Sequence, residues 1–182
     1  MKVTDLLRSE LDLEAEYTRR HLERVPMERL DFKPHGKSMT LGRLASFIAT
    51  IPTWGALTLM GDSFDVAPQG TPADEPGLAT TLHELLERFD TSVADVRMAL
   101  ESMRDEALLQ RWSLKANGNI VFTEQRYLVF RTMFLNHMVH HRAQLGVYFR
   151  LMGTPVPAVY NDSGDEKGGM FMESPGEVPA SV

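Results

Sequence analysis

The sequence predicts an all-α fold, an antiparallel four-helix bundle with one long crossover loop, on three observations. Four segments carry apolar residues at a helical period, all are long enough to span a small domain, and Pro/Gly-rich loops separate them without strand alternation. The 182 residues are 43% hydrophobic and 24% charged, which fits one domain with a real core. We expect the bundle over residues 1–158 and a polar, Gly-rich tail over 159–182.

The first helix is expected from about Thr4 to Arg24, closing before Pro26. Leu7, Leu11, Leu22 and Val25 share its inner side, and Glu14 and His21 fall on or near that side. After the breakers Pro34 and Gly36, Thr40 is set to cap a second helix that runs to about Met60. Leu44, Phe47, Ile51 and Trp54 form its apolar stripe, with Arg43, Ser46, Thr50 and Thr53 facing water. Pro52 removes one internal hydrogen bond and is expected to kink or restart the helix.

The stretch GDSFDVAPQGTPADEPG reads as a long loop. A third helix follows from about Thr80 to Met103, with Leu82, Leu85, Leu86, Phe89, Val93, Val96 and Leu100 inward and His83 outward. The segment RWSLKANGNIVF holds a strong Asn117-Gly118 turn signal, yet too few branched residues to suggest a sheet. The fourth helix is expected from about Thr123 to Met152, stopped by Gly153 and Pro155. At about 1.5 Å per residue it would run the height of a bundle.

Several function classes are disfavoured. A net charge of −6 gives no basic face for nucleic-acid phosphates. No cysteine is present, so disulfides, thiolate ligands and a protein thiol nucleophile are excluded. No stretch approaches the roughly 20 apolar residues of a membrane span, and the N-terminus lacks a secretory pattern, so a cytoplasmic protein is expected.

The strongest local signal is NHMVHHRAQL in the fourth helix. Tyr127, Phe130, Phe134, Leu145, Tyr148 and Met152 define its inner stripe; His137 and His141 fall within it, His140 on the flank, and Arg142 well away. Imidazoles at i and i+4 can meet on one metal ion. They can equally be core residues satisfied by an ordered water together with Gln144 or a group from another helix. Spacing alone leaves both readings open.

The segments NHMVHHRAQLGVYFRLMGTPVPAVYNDSGDE and LDFKPHGKSMTLGRLASFIATIPTW resemble the C-terminal signature and the second-helix region of the DinB-like family. That resemblance implies a four-helix bundle, often a homodimer, and in many members a divalent metal such as zinc or nickel held by three histidines. Two of those ligands correspond to His137 and His141. The third belongs to the second helix, in LASFIA, where this chain carries Phe47, which cannot coordinate a cation. His21, Glu14, His35 and His140 are the candidate replacements. The alternative for Glu14 and His21 is a place at the rim or beside a basic neighbour, and for His35 a solvated loop. Trp54, Phe130, Phe134 and Tyr148 read most simply as core; a pocket beside the pair would be walled by them and by Phe47, and Arg142 is expected to form an intramolecular or dimer-face salt bridge.

Some members of the family are metal-dependent transferases or isomerases that use a low-molecular-weight thiol, so one expectation is such an enzyme with a small-molecule substrate. The other is a metal-free, dimeric binding or stress-associated module in which Phe47 has turned the site into packing.

Overall fold

The computed structural model describes residues 2–68 and 77–168. In chain order its elements are α1 (Val3–Leu22), α2 (Leu41–Met60), β1 (Ser63–Asp65), α3 (Leu82–Ser102), α4 (Asp105–Leu108), β2 (Arg111–Ala116), β3 (Asn119–Gln125), α5 (Arg126–Val129) and α6 (Asn136–Met152). A 3₁₀ turn, Met27–Arg29, follows α1, and a π-helical turn, Phe130–Leu135, joins α5 to α6.

The helices begin and end where local chemistry directs. Thr40 Oγ1 accepts from Arg43 N at the start of α2, and Thr81 Oγ1 accepts from Glu84 N at the start of α3. Both are side-chain caps for backbone donors that the helix itself leaves unpaired. The first turn of α1 is held from a distance, since Asp105 accepts from Val3 N and Thr4 N at 2.7 and 3.1 Å. Gly153 closes α6 in the left-handed region at φ 72°, with Thr154 N bonded back to Phe149 O at 2.9 Å. Pro52 neither ends nor restarts α2, which is helical on both sides of it.

α1, α2, α3 and α6 enclose the core, in which Leu11, Leu44, Ile48, Phe89, Phe130, Phe134, Leu145 and Phe149 are fully buried. Cross-helix contacts fix the directions. Arg19–Asp90 and Arg97–Asp12 make α1 and α3 antiparallel, whereas Ser92 Oγ on Ala49 O and the shared lining by Leu59, Ala99 and Ser102 make α2 and α3 parallel. Parallel neighbours need a connection that returns the full length of the bundle, which explains the long segment after Met60. The expectation of an antiparallel bundle is corrected accordingly. Ser46 is also corrected: the returning chain covers it, and its Oγ accepts from Ala79 N at 2.9 Å.

A further correction concerns fold class. The structure is not all-α: β1, β2 and β3 form a three-stranded mixed sheet in that order, β1 parallel to β2 and β2 antiparallel to β3. The segment expected to be irregular is a hairpin. Asn117 and Gly118 both have positive φ, 52° and 77°, the two-residue geometry whose twist matches that of paired strands. Asp65 in β1 accepts from Gly118 N at 2.7 Å and ties the turn down. Trp112 is buried on the inner face of β2, tilted against Phe122 at 6.3 Å.

The sheet shortens the expected fourth helix, which begins at Arg126 rather than Thr123. Arg126 is buried and bonds Ala107 O, Gly61 O and Asp62, joining the hairpin to the end of α2. The π turn inserts extra residues into one helical turn and rotates what precedes it. Arg126 therefore faces inward and Tyr127, expected in the core, is 37% exposed.

Beyond α6 the chain crosses back over α1. Glu166 pairs with Arg20 and Arg24, and Tyr160 Oη donates to Glu14 Oε1 at 2.7 Å. The rest of the expected tail, residues 169–182, lies outside the described residues. No helix among the described residues is long and apolar enough to cross a membrane.

Candidate functional site

His137 and His141 lie one turn apart on α6 with ring centroids 4.6 Å apart, and their Nε2 atoms approach to 2.9 Å. The other ring nitrogens decide what that approach means. His141 Nδ1 is 2.8 Å from Gln144 Oε1; a carbonyl oxygen only accepts, so Nδ1 carries the proton and Nε2 the lone pair. The Met133 carbonyl one turn back favours the protonated form of the His137 ring but makes no hydrogen bond of ordinary geometry with it. His137 Nε2–H then donates to the His141 lone pair, and the two neutral rings satisfy one another. With the proton of His137 on Nδ1 instead, both Nε2 lone pairs would face a cation.

Both rings are held towards the neutral form. Burial lowers the pKa of His137 from the ordinary histidine value, partly offset by the nearby Met133 carbonyl. His141 is lowered likewise, first by burial, against the raising effect of Gln144, with His137 and His140 adding to the depression. Two ligand nitrogens at about 2.0–2.1 Å from a tetrahedral zinc ion stand about 3.3 Å apart, so a few tenths of an ångström of separation would admit one.

Phe47 stands across from the pair. Its ring meets His137 at 5.5 Å and His141 at 5.0 Å between centroids, both edge-on at interplanar angles of 74° and 81°. His140 lies beside His141 at 4.9 Å, and its Nε2 is 3.0 Å from Gln144 Nε2. The π turn immediately precedes this group; such turns recur where a helix must re-aim side chains. Gly55 of α2 admits Phe134 from that turn, because a Cβ there would lie 2.6 Å from Phe134 Cδ1.

The other expected site residues fall elsewhere. Glu14 is buried but ion-paired to Arg142, with Oε2 2.6 Å from Nη1 at an angle outside the hydrogen-bonding range. His21 is buried against Phe149, its Nδ1 on Tyr17 O at 2.8 Å, and burial depresses its pKa to about 4. His35 is exposed in its loop, where Nδ1 accepts from Lys37 N. His140 joins the pair through Gln144 but approaches from the same helix. No group of three His, Asp or Glu side chains able to hold a metal occurs among the described residues.

Phe130, Phe134 and Tyr148 are core residues, as first read, and form no wall beside the pair. Phe47 alone touches the histidines; Phe130 and Phe134 stack edge-to-face at 5.1 Å in the core, and Trp54 turns to Phe64 of β1. Tyr148 donates to Met39 O at 2.9 Å further along α6. Two cavities, of about 410 and 480 Å³, open near Arg126 and near Val3, and neither is lined by the pair.

Arg142 is buried, though it lies off the stripe that faces α2. α6 packs on two sides, and on the second its guanidinium reaches Glu14, Thr18 Oγ1 and Tyr160 Oη, between the rings of Tyr17 and Tyr160. The expected intramolecular salt bridge is therefore present. The π turn was missed by sequence reasoning, because it has no side-chain signal.

The comparisons with known proteins agree with this architecture. The DinB family profile matches residues 1–168. A DinB-like protein of Bacillus subtilis superposes with a TM-score of 0.64 at 19% identity, over 84% of this chain and 96% of that one. A DinB-like protein of Bacillus cereus ATCC 10987 gives 0.60 at 22% identity, over 82% and 92%. No curated protein matches the chain. Covering all four long helices and the hairpin between them, the profile match shows that this chain belongs to the DinB family.

Proposed function

We propose that this chain is a divalent-metal-binding bundle with a reduced site, in which His137 and His141 hold zinc or nickel weakly through Nε2. The observation that carries the reading is the 2.9 Å approach of two Nε2 atoms on one helix, with the other ring nitrogen of His141 committed to the Gln144 carbonyl. The donor set fits a cation bound by two imidazoles and otherwise by water. It does not fit a three-nitrogen centre, because Phe47 stands edge-on to both rings in the third direction.

A cation there would supply Lewis acidity, lowering the pKa of a coordinated low-molecular-weight thiol or water. The chain's own contribution is positional: Gln144 holds the His141 ring, and Phe47 keeps one side dry. On this reading a small electrophile is the substrate of a thiol-dependent transfer. Phe47 favours a second reading, a metal-free dimeric binding or stress-associated module, because an apolar ring against the pair is what a site converted to packing would hold.

Metal titration of untagged protein separates the two. The first reading expects zinc or nickel to bind weakly at one equivalent, to be lost in His141→Ala, and to bind at least about tenfold tighter in Phe47→His. No binding by the parent chain, with tight binding by Phe47→His, establishes the metal-free reading instead. Stoichiometric retention of metal through a strong chelator would contradict both. Given bound metal, a panel of thiols with an electrophilic acceptor tests transfer, and absence of turnover would remove the enzymatic part.

A further inference from the structure

We infer that Gln144 is a positioning residue that selects the tautomer of His141. The inference rests on the proposed function for its purpose, though not for its observation. A side-chain amide is asymmetric, with one end that only accepts and one that only donates. Gln144 presents Oε1 to His141 Nδ1 at 2.8 Å and Nε2 to His140 Nε2 at 3.0 Å. The donor end requires a lone pair on His140 Nε2, so His140 carries its own proton on Nδ1. The acceptor end requires the proton of His141 on Nδ1.

The consequence falls on the far side of the His141 ring, where Nε2 is left as a lone pair 2.9 Å from His137 Nε2. With the amide reversed, Nε2–H of Gln144 would donate to His141 Nδ1 and force the His141 proton onto Nε2. That nitrogen could then only donate, and it would offer no lone pair to a ligand. His140 is exposed and can match either end of the amide by moving its own proton, so the assignment rests on the contact between Gln144 Oε1 and His141 Nδ1. Outer contacts of this kind fix which imidazole nitrogen is available to a ligand.

Long-range ¹H–¹⁵N correlation spectra of the full, metal-free chain labelled at histidine nitrogen read the tautomers directly. Near pH 7.5 the wild-type chain is expected to show His141 and His140 both protonated on Nδ1. Gln144→Leu removes both ends of the amide and is expected to move His141 to a mixture or to the Nε2–H form. Gln144→Glu keeps the acceptor and is expected to restore the Nδ1–H form of His141 while releasing His140. Gln144 is exposed, so both variants are expected to fold, with thermal midpoints close to the parent. A wild-type His141 protonated on Nε2, or a Gln144→Leu spectrum identical to wild type, overturns the inference. The readout needs no metal: failure of the parent chain to bind zinc would refute the proposed function and leave this inference standing.

Discussion

Replacing His21 by Phe is expected to flatten the acid dependence of folding, because this imidazole is held neutral in a site with no room for its charge. Burial is the largest cause of the depression, and Arg142, Arg20 and Arg24 add to it against the raising effect of the Tyr17 carbonyl. The folded value is about 4, whereas an unfolded histidine titrates near 6.5. Between those values the unfolded chain binds a proton that the folded chain refuses, so stability rises with pH and falls on acidification. Integrating between pH 7.5 and pH 5.0 gives a loss of about 2 kcal/mol assigned to this one group. That window stays above the carboxylate range, so the depressed pKa values of Asp105 and Glu166 contribute little to it. Urea denaturation at the two pH values, read by tryptophan fluorescence, measures the loss for parent and His21→Phe. The variant keeps an apolar ring against Phe149, and its loss is expected to be smaller by about 2 kcal/mol; an equal loss in both proteins would refute the burial argument.

Two further substitutions probe the packing around the site. Gly55→Ala places a methyl group 2.6 Å from Phe134 Cδ1 in a fully buried ring, and a net cost of about 1–2 kcal/mol is expected after the gain in helix propensity, checked by thermal melting. Arg142→Met leaves the Glu14 carboxylate buried without its partner and is expected to cost about 3–5 kcal/mol, whereas adding Glu14→Gln is expected to recover most of it in a double-mutant cycle.

The sequence made the helices legible because their signals are local. Thr40, Gly153 and the apolar periods mark where α2 and α6 begin or end, and the i, i+4 spacing of His137 and His141 brings them together on any helix. The sheet was only half legible. Asn117-Gly118 announces the turn, but the pairing of Ser63–Asp65 with β2 joins strands nearly fifty residues apart, and nothing local encodes it. The π turn was invisible, since it changes the register of a helix without a distinctive side chain, and it exchanged Tyr127 for Arg126 at the core. Arg142 was placed off the inner stripe because the period assumes one buried face, while α6 has two. At the site, Phe47 was readable as an incompatible residue type. The fates of Glu14 and His21 depended on Arg142, Tyr160 and Phe149, which come from distant parts of the chain.

The central claim is that the pair presents exactly two imidazole nitrogens to a cation. X-ray absorption at the zinc edge, on untagged protein loaded with one equivalent, counts those ligands. Two imidazoles, counted by multiple scattering from their outer ring atoms, with oxygen completing the shell, rising to three imidazoles in Phe47→His, is the predicted result. A wild-type spectrum with three imidazoles, or with none, would contradict the account.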